Sequence, residues 1–365
     1  MAMKSRSYLV SLQISALATL MALSHASHAQ RIVKFDVPGG SGFDTHTTGV
    51  NAHGQVVGSY EDPDGHAIGF VRSASGAFIT FYTPRTGDSH QGLGTRPQAL
   101  NDAGEIVGYV TSAQDPASIT RGFVRDEYGR ITVFDAIPGA FYTLPETINS
   151  EGTAGGTYFD PDFIMHGFLR SPEGTITTFD GLGSFGQFLG IRSNGEVDGL
   201  ILHDHVFQGF VRDPSGKFLT FDVPDVDRAI RGVGCPDCTG TMPTAATATG
   251  RMVGYYGAAG IGIRGFLREP DGALSKFALP KSNATKPKAI NPQGAIAGEY
   301  LDSANVAHGF LLPRNGAYES FDLTDSYALT VTGIDRDNRV SGFFQDANGF
   351  HGFIRYPRTA CSHRR

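Results

Sequence analysis

From residue 31 onward the chain is written in short runs of alternating apolar and polar residues, separated by turns rich in Gly, Asn, Asp and Pro. A period of two, with Phe and β-branched residues on the apolar beat, predicts strands; no window of helical length after the N-terminal segment keeps a 3.6 period. One run recurs seven times: Gly-Phe followed by an aliphatic residue, starting at Gly69, Gly122, Gly167, Gly209, Gly265, Gly309 and Gly352. Arg stands fourth in six copies (Arg72, Arg125, Arg170, Arg212, Arg268, Arg355), and Leu312 stands there in the other. The mean spacing is about 47 residues, within the range of repeat architectures.

Two further runs keep step with it. Upstream, turns such as Asn51-Ala-His-Gly54 and Asn291-Pro-Gln-Gly294 open a strand that carries a fixed glycine: Gly58, Gly108, Gly156, Gly199, Gly254, Gly298 and Gly342. Glycine inside a strand marks a close approach, so another backbone or the Phe of the Gly-Phe run is predicted to lie against each. Downstream, Phe recurs at 81, 134, 179, 221, 277 and 321, followed by Asp in four of the six. One more copy, Phe35-Asp36, opens the repeat region, while the last repeat, ending at Tyr356-Pro357, has none.

That offset predicts the fold. Each unit supplies four strands, here A to D, with the glycine turn between A and B, Gly-Phe in C and Phe-Asp in D. An open stack would leave a bare edge or need capping repeats; a ring removes the edge by lending the first D strand to the last unit. The expectation is an all-β, seven-bladed β-propeller of four-stranded blades, closed by the N-terminal strand pairing with the last repeat. Its bounds are residues 30–357, with an insertion at 225–247 and a tail at 358–365.

The residue before each Gly-Phe lies fourteen positions before the Asp slot. A three-residue turn centred near Glu173 would set the two face to face. This predicts the structural pairs His166 with Asp180, His308 with Asp322, His351 with Asp36 across the closure, Arg121 with Asp135, and Gln208 with Asp222. Arg264 with Ala278 breaks the pattern.

Composition adds the compartment. Residues 1–29 carry Lys4 and Arg6, an apolar run from Tyr8 to Leu23, and Ser27-His-Ala29 before a cut, the layout of a secretory signal peptide. Export to the periplasm or medium of a bacterium is expected, with no membrane span after signal removal. Losing Lys4 and Arg6 takes the formal charge from −6 to −8, and without a basic stripe nucleic acid is excluded as a partner. Cys235-Pro-Asp-Cys238 is expected to close a small disulfide in an oxidising compartment.

The A–B and C–D turns are short and nearly constant, whereas the B–C and D–A connections vary, which places a binding site on the B–C/D–A face. The candidates there are His46, His90, Arg96, Tyr142, His203, His205 and Arg231. His203-Asp-His205 would put two imidazoles on one face of a strand, a weak metal candidate without a third ligand. Asp62-Pro-Asp64-Gly65 and Asp160-Pro-Asp162 are calcium-loop fragments that lack the remaining ligands and read first as turns. No cofactor is predicted, and a bound cation is left open.

The repeats resemble the extracellular HAF-type family of bacterial secreted proteins, on His166-Gly-Phe168, His308-Gly-Phe310 and His351-Gly-Phe353. The resemblance spans nearly all of 31–357; it implies an exported bacterial protein and brings no catalytic residues. The leading expectation is a monomeric, non-catalytic module that binds an extracellular or envelope protein or glycan. The alternatives are a polysaccharide lyase or hydrolase with a His/Tyr/Arg site at the channel mouth, and a structural envelope protein.

Overall fold

The computed structural model describes residues 31–41, 44–83, 94–111, 120–183, 185–224, 239–258 and 262–357. All regular structure among them is β, in 28 strands. The strands fall into seven antiparallel sets of four, so the architecture is all-β and propeller-like. The first set is Thr45–Val50 (A), Val56–Glu61 (B), Ala67–Arg72 (C) and Phe78–Phe81 (D), hydrogen-bonded in that order. In the seventh, Ala328–Ile334, Val340–Asp346 and Gly349–Arg355 take as their outer neighbour the N-terminal Ile32–Phe35, in register from Ile32↔Arg355 to Phe35↔Gly352. The A strand of the first set also packs against the A and B strands of the seventh, and Asp44 bridges Phe350.

The glycine positions are accounted for by contact. A Cβ on Gly122 would lie 2.8 Å from the Phe134 ring, 2.9 Å from Pro145 and 3.0 Å from Thr143. A Cβ on Gly108 would meet the Arg96 carbonyl and, at 2.9 Å, the ring of Phe123. Both partners foreseen for the B-strand glycines are therefore present, the neighbouring backbone and the Phe of the same set. That Phe is fully buried in every set that carries it: Phe70, Phe123, Phe168, Phe210, Phe266, Phe310 and Phe353 are each 0% exposed.

The C–D hairpins close through three-residue loops such as Pro172–Gly174, with Gly174 at φ +98°. They bring the fourteen-residue pairs together, His166 Nδ1 to Asp180 Oδ1 at 2.6 Å and His308 Nδ1 to Asp322 Oδ1 at 2.6 Å; the pairing of the N-terminal strand with the last set makes the equivalent contact, His351 Nδ1 to Asp36 Oδ1 at 2.8 Å. Arg121 donates two bonds of 2.8 Å to Asp135, and Gln208 Nε2 donates to Asp222 at 2.8 Å. Arg264, with no acid opposite, donates to the Ile263 and Asn283 carbonyls instead.

Neighbouring sets are joined by three devices. The repeated arginine lies over the D-strand Phe of the preceding set: Arg125 over Phe81 at 5.0 Å, Arg170 over Phe134 at 5.1 Å, Arg268 over Phe221 at 4.7 Å. Arg72 does the same over Phe35, at 4.9 Å, joining the first set to the N-terminal strand. A desolvated guanidinium on a ring contributes about 1–2 kcal/mol. Second, a buried threonine opening an A strand accepts the amide that follows the previous D strand, as Thr143 Oγ1 does from Ala136 N and Thr285 Oγ1 from Leu279 N. Third, the A–B turn asparagines reach forward: Asn51 Nδ2 donates to the Asn101 carbonyl, and Asn101 Nδ2 to that of Asn149.

Candidate functional site

Each A strand contains a β-bulge at the equivalent place, at Thr48, Gln98, Glu146, Leu189, Thr244, Lys288 and Thr332; the sixth has a second irregularity, at Asn283. A bulge breaks the ladder and re-aims one side chain. All seven bulge residues line a single cavity of about 600 Å³, to which every A strand contributes. The residue before the bulge is Pro97, Pro145, Pro243 or Pro287 in four sets. Proline has no amide hydrogen to leave unpaired, so the bulge is a place where a strand tolerates it. The other three sets have an amide there, at Thr47, Phe188 and Val331, and in two of them an acid of the preceding set accepts it. Phe188 N donates to Glu146 Oε2 at 2.7 Å, and Val331 N to Glu299 Oε1 at 3.0 Å.

The channel wall is electrostatically uneven. Glu146 sits inside it with Thr157 Oγ1 at 3.4 Å as its other donor, and burial pushes its carboxyl up to about 8. Three sets further on, Lys286 and Lys288 lie beside Glu299. Burial raises Glu299 and lowers Lys286, the latter helped by Lys288. Tyr255, under Lys286, is raised by burial and by the charge of Glu299.

A second cluster forms where the first set meets its neighbours on the B–C/D–A face. His46 Nε2 contacts Asp44 Oδ1 and packs its ring 4.6 Å from both Phe343 and Phe350. Arg96 Nη2 lies 4.0 Å from Glu61 Oε1. Glu61 is held above the usual carboxyl range, first by burial and then by the charge and hydrogen bond of Asp44. The fold thus brings together two of the candidates, His46 and Arg96, with two acids that sequence reasoning did not single out.

Tyr142 belongs to a third place, the loops of the third set. Its ring meets Phe159 edge-on at 5.8 Å. Next to it in the chain, Phe141 stacks on Phe163 with centroids 4.4 Å apart and planes 15° apart. Phe163 is 61% exposed and Ile164 55%, and Phe163 holds a left-handed φ of 59°. The same B–C turn position is Gly65 in the first set and Asn305 in the sixth, at φ 82° and 62°. A phenylalanine in that region is an outlier.

The fourth set corrects the expectation for His203 and His205. They do not share a face of a strand: His203 ends its strand opposite Val206, while Asp204 and His205, at φ 48° and 63°, form the two-residue turn between them. Two successive positive-φ residues suit such a tight hairpin. Among the described residues the group with metal-ligand spacing is instead Asp62, Asp64 and His66. There Asp62 Oδ1 already accepts the Asp64 and His66 amides, and Oδ2 lies 3.1 Å from His66 Nδ1. The turn explains that geometry. His90, Arg231, Cys235 and Cys238 lie outside the described residues.

The class these features define is a β-propeller-like protein. The fold is similar to that of virginiamycin B lyase from Staphylococcus aureus (TM-score 0.56, 13% identity, 90% of this chain and 99% of that one). It is similar as well to a streptogramin B lyase (0.56, 15%, 90% and 98%) and to the acylaminoacyl peptidase of Pyrococcus horikoshii (0.53, 9%, 87% and 53%). At such identities the likeness is one of fold. No family model and no curated relative matches the sequence. No helix among the described residues is long and apolar enough to cross a membrane.

Proposed function

We propose that the chain is an exported, closed seven-bladed propeller that binds glycans on its B–C/D–A face without catalysis. Closure is supported by the pairing of Ile32–Phe35 with Gly349–Arg355 and by the convergence of all seven A strands on one cavity. Export rests on the signal-like first 29 residues and on the resemblance to secreted HAF-type proteins.

The observation that carries the binding reading is Phe163, exposed on the variable face, stacked on the half-buried Phe141 and held there against backbone preference. Strained residues persist where surroundings over-determine them, and they cluster at functional sites. A flat aromatic face in water offers an apolar surface to the C–H face of a sugar ring. The exposed Asp162 beside it can accept sugar hydroxyls. The test is a glycan array probed with residues 30–365, wild type beside Phe163→Ala. Binding that the variant loses supports the reading; no binding to any glycan, or equal binding by both, refutes it.

One observation favours a second reading. Asp44, His46, Glu61 and Arg96 combine an imidazole, a carboxyl raised by burial and a neighbouring acid, and a guanidinium, the set needed for acid–base cleavage of an acidic polysaccharide. Turnover of a uronate-containing polymer that Glu61→Gln abolishes would establish it; binding without turnover would exclude it.

A further inference from the structure

Six of the seven bulge residues are polar, and for Thr48, Glu146 and Thr244 the hydrogen bonds fix a direction. Thr244 Oγ1 donates to the Pro287 carbonyl at 2.9 Å, and Thr48 Oγ1 to that of Val57 at 3.5 Å. A hydroxyl whose proton is committed to the main chain keeps its lone pairs for a visitor. These threonines therefore ask for O–H donors. Lys288 is the opposite case. It makes no hydrogen bond or ion pair with another described residue, and its ammonium carries three donors. Glu299 is shared between Lys286 and Lys288, so the formal charge of the trio is +1, and Lys288 is its member on the cavity wall. Glu146, three sets away, accepts from Phe188 N and Thr157 Oγ1. In its protonated form its remaining O–H is free to donate inward.

We propose that the central channel binds a small hydroxylated monocarboxylate of the uronic-acid type. Its carboxylate sits between Lys288 and Glu146, and its hydroxyls donate to Thr48 and Thr244. The cavity of about 600 Å³ is in the usual size range for small-molecule sites. One net positive charge favours a monoanion over a neutral sugar, and it leaves a dianion half compensated. The two lysines disfavour a cation. The committed threonine hydroxyls disfavour a bare fatty or aromatic acid, which would leave their lone pairs unmatched in a confined space.

The test is isothermal titration of residues 30–365 with D-glucuronate, D-glucose and acetate. Glucuronate is expected to bind, with glucose and acetate each at least about tenfold weaker, since each lacks one half of the match. Lys288→Met, with an unchanged far-UV circular dichroism spectrum, weakens glucuronate by at least about tenfold. Glu146→Gln, which keeps a donor and the Phe188 contact, stays within about threefold, and Thr244→Val weakens binding by about fivefold. Phe163→Ala leaves the titration unchanged, which separates this site from the loop face. No heat with glucuronate, equal affinity for glucose, or a folded Lys288→Met that titrates like wild type would each overturn the assignment.

Discussion

Phe163 offers a way to measure what the loop face costs the fold. An L-residue in the left-handed region loses about 1–2 kcal/mol. Stacking on Phe141 at 4.4 Å returns about 0.5–1.5 kcal/mol. Phe163→Gly removes both terms and adds the larger freedom of glycine in the unfolded chain, about 0.5–1 kcal/mol. It is therefore expected within about 0.5 kcal/mol of wild type. Phe163→Ala keeps the backbone strain and loses the stack, so it falls about 1 kcal/mol below wild type. The smaller side chain is thus the more stable variant, the reverse of the order in an ordinary turn. Urea unfolding followed by circular dichroism reads the difference, because the chain has no Trp for fluorescence. Both variants should lose glycan binding. If alanine proves as stable as glycine, position 163 is not held in the left-handed region. If glycine keeps full binding, the aromatic surface is not the contact.

Three further outcomes follow from the packing. Gly122→Ala drives a Cβ to within 2.8–3.0 Å of Phe134, Pro145 and Thr143, and should lower stability by about 1–3 kcal/mol in the same unfolding assay. Arg72→Met, which removes the cation over Phe35, should speed amide hydrogen exchange in residues 32–35 more than in the core of the fourth set; uniform exchange would argue against a local closure role. The third concerns pH. His166, His308 and His351 each lie between two carboxylates (Asp160 and Asp180, Asp302 and Asp322, Asp346 and Asp36). Burial opposes their charge, but the hydrogen bonds and charges of the flanking acids outweigh it and hold all three above the ordinary 6.5. The acids Asp160, Asp302 and Asp346, each held chiefly by a backbone amide, lie below their ordinary 3.8. A raised folded-state imidazole stabilises below 6.5 and loses that contribution as pH rises through its folded value; a depressed carboxyl stabilises above 3.8 and loses it as pH falls. The contribution of the three clusters is therefore full between about 3.8 and 6.5 and declines on both sides. Asp36→Asn should flatten the alkaline decline in a thermal-denaturation profile, and an unchanged profile would remove His351 from the account.

The repeat frame was legible because its residues are fixed by geometry. A glycine under a phenylalanine ring, or a histidine facing an aspartate across a hairpin, must recur wherever the same close approach recurs. The bulge residues follow the opposite logic. Their position is constant, yet Thr, Gln, Glu, Leu and Lys all occupy it, so a search for repeated letters passes over them. The signal that marks them is the proline inside an otherwise strand-like run, at 97, 145, 243 and 287. The cluster of Asp44, Glu61, His46 and Arg96 left no such trace. Its members come from a loop, a B strand and the A strands of two sets, and nothing local couples them. His203 and His205 misled for a related reason: alternation reads as a strand until two positive-φ residues fold it into a turn, which side-chain chemistry alone does not announce.

The strand that completes the last set is the first of the described strands in chain order. Ile32–Phe35 leaves the ribosome some three hundred residues before its partner Gly349–Arg355 exists, so its pairing is the longest-range event in folding and belongs late in the sequence of steps. Until then the nascent chain carries an unpaired strand ahead of the first repeat and an open sheet edge at the last one, and these are complementary to each other in any two molecules at the same stage. The pairing that completes the last set therefore makes half-made molecules adhesive. Secretion in unfolded form, one chain at a time, would keep the wrong partners apart.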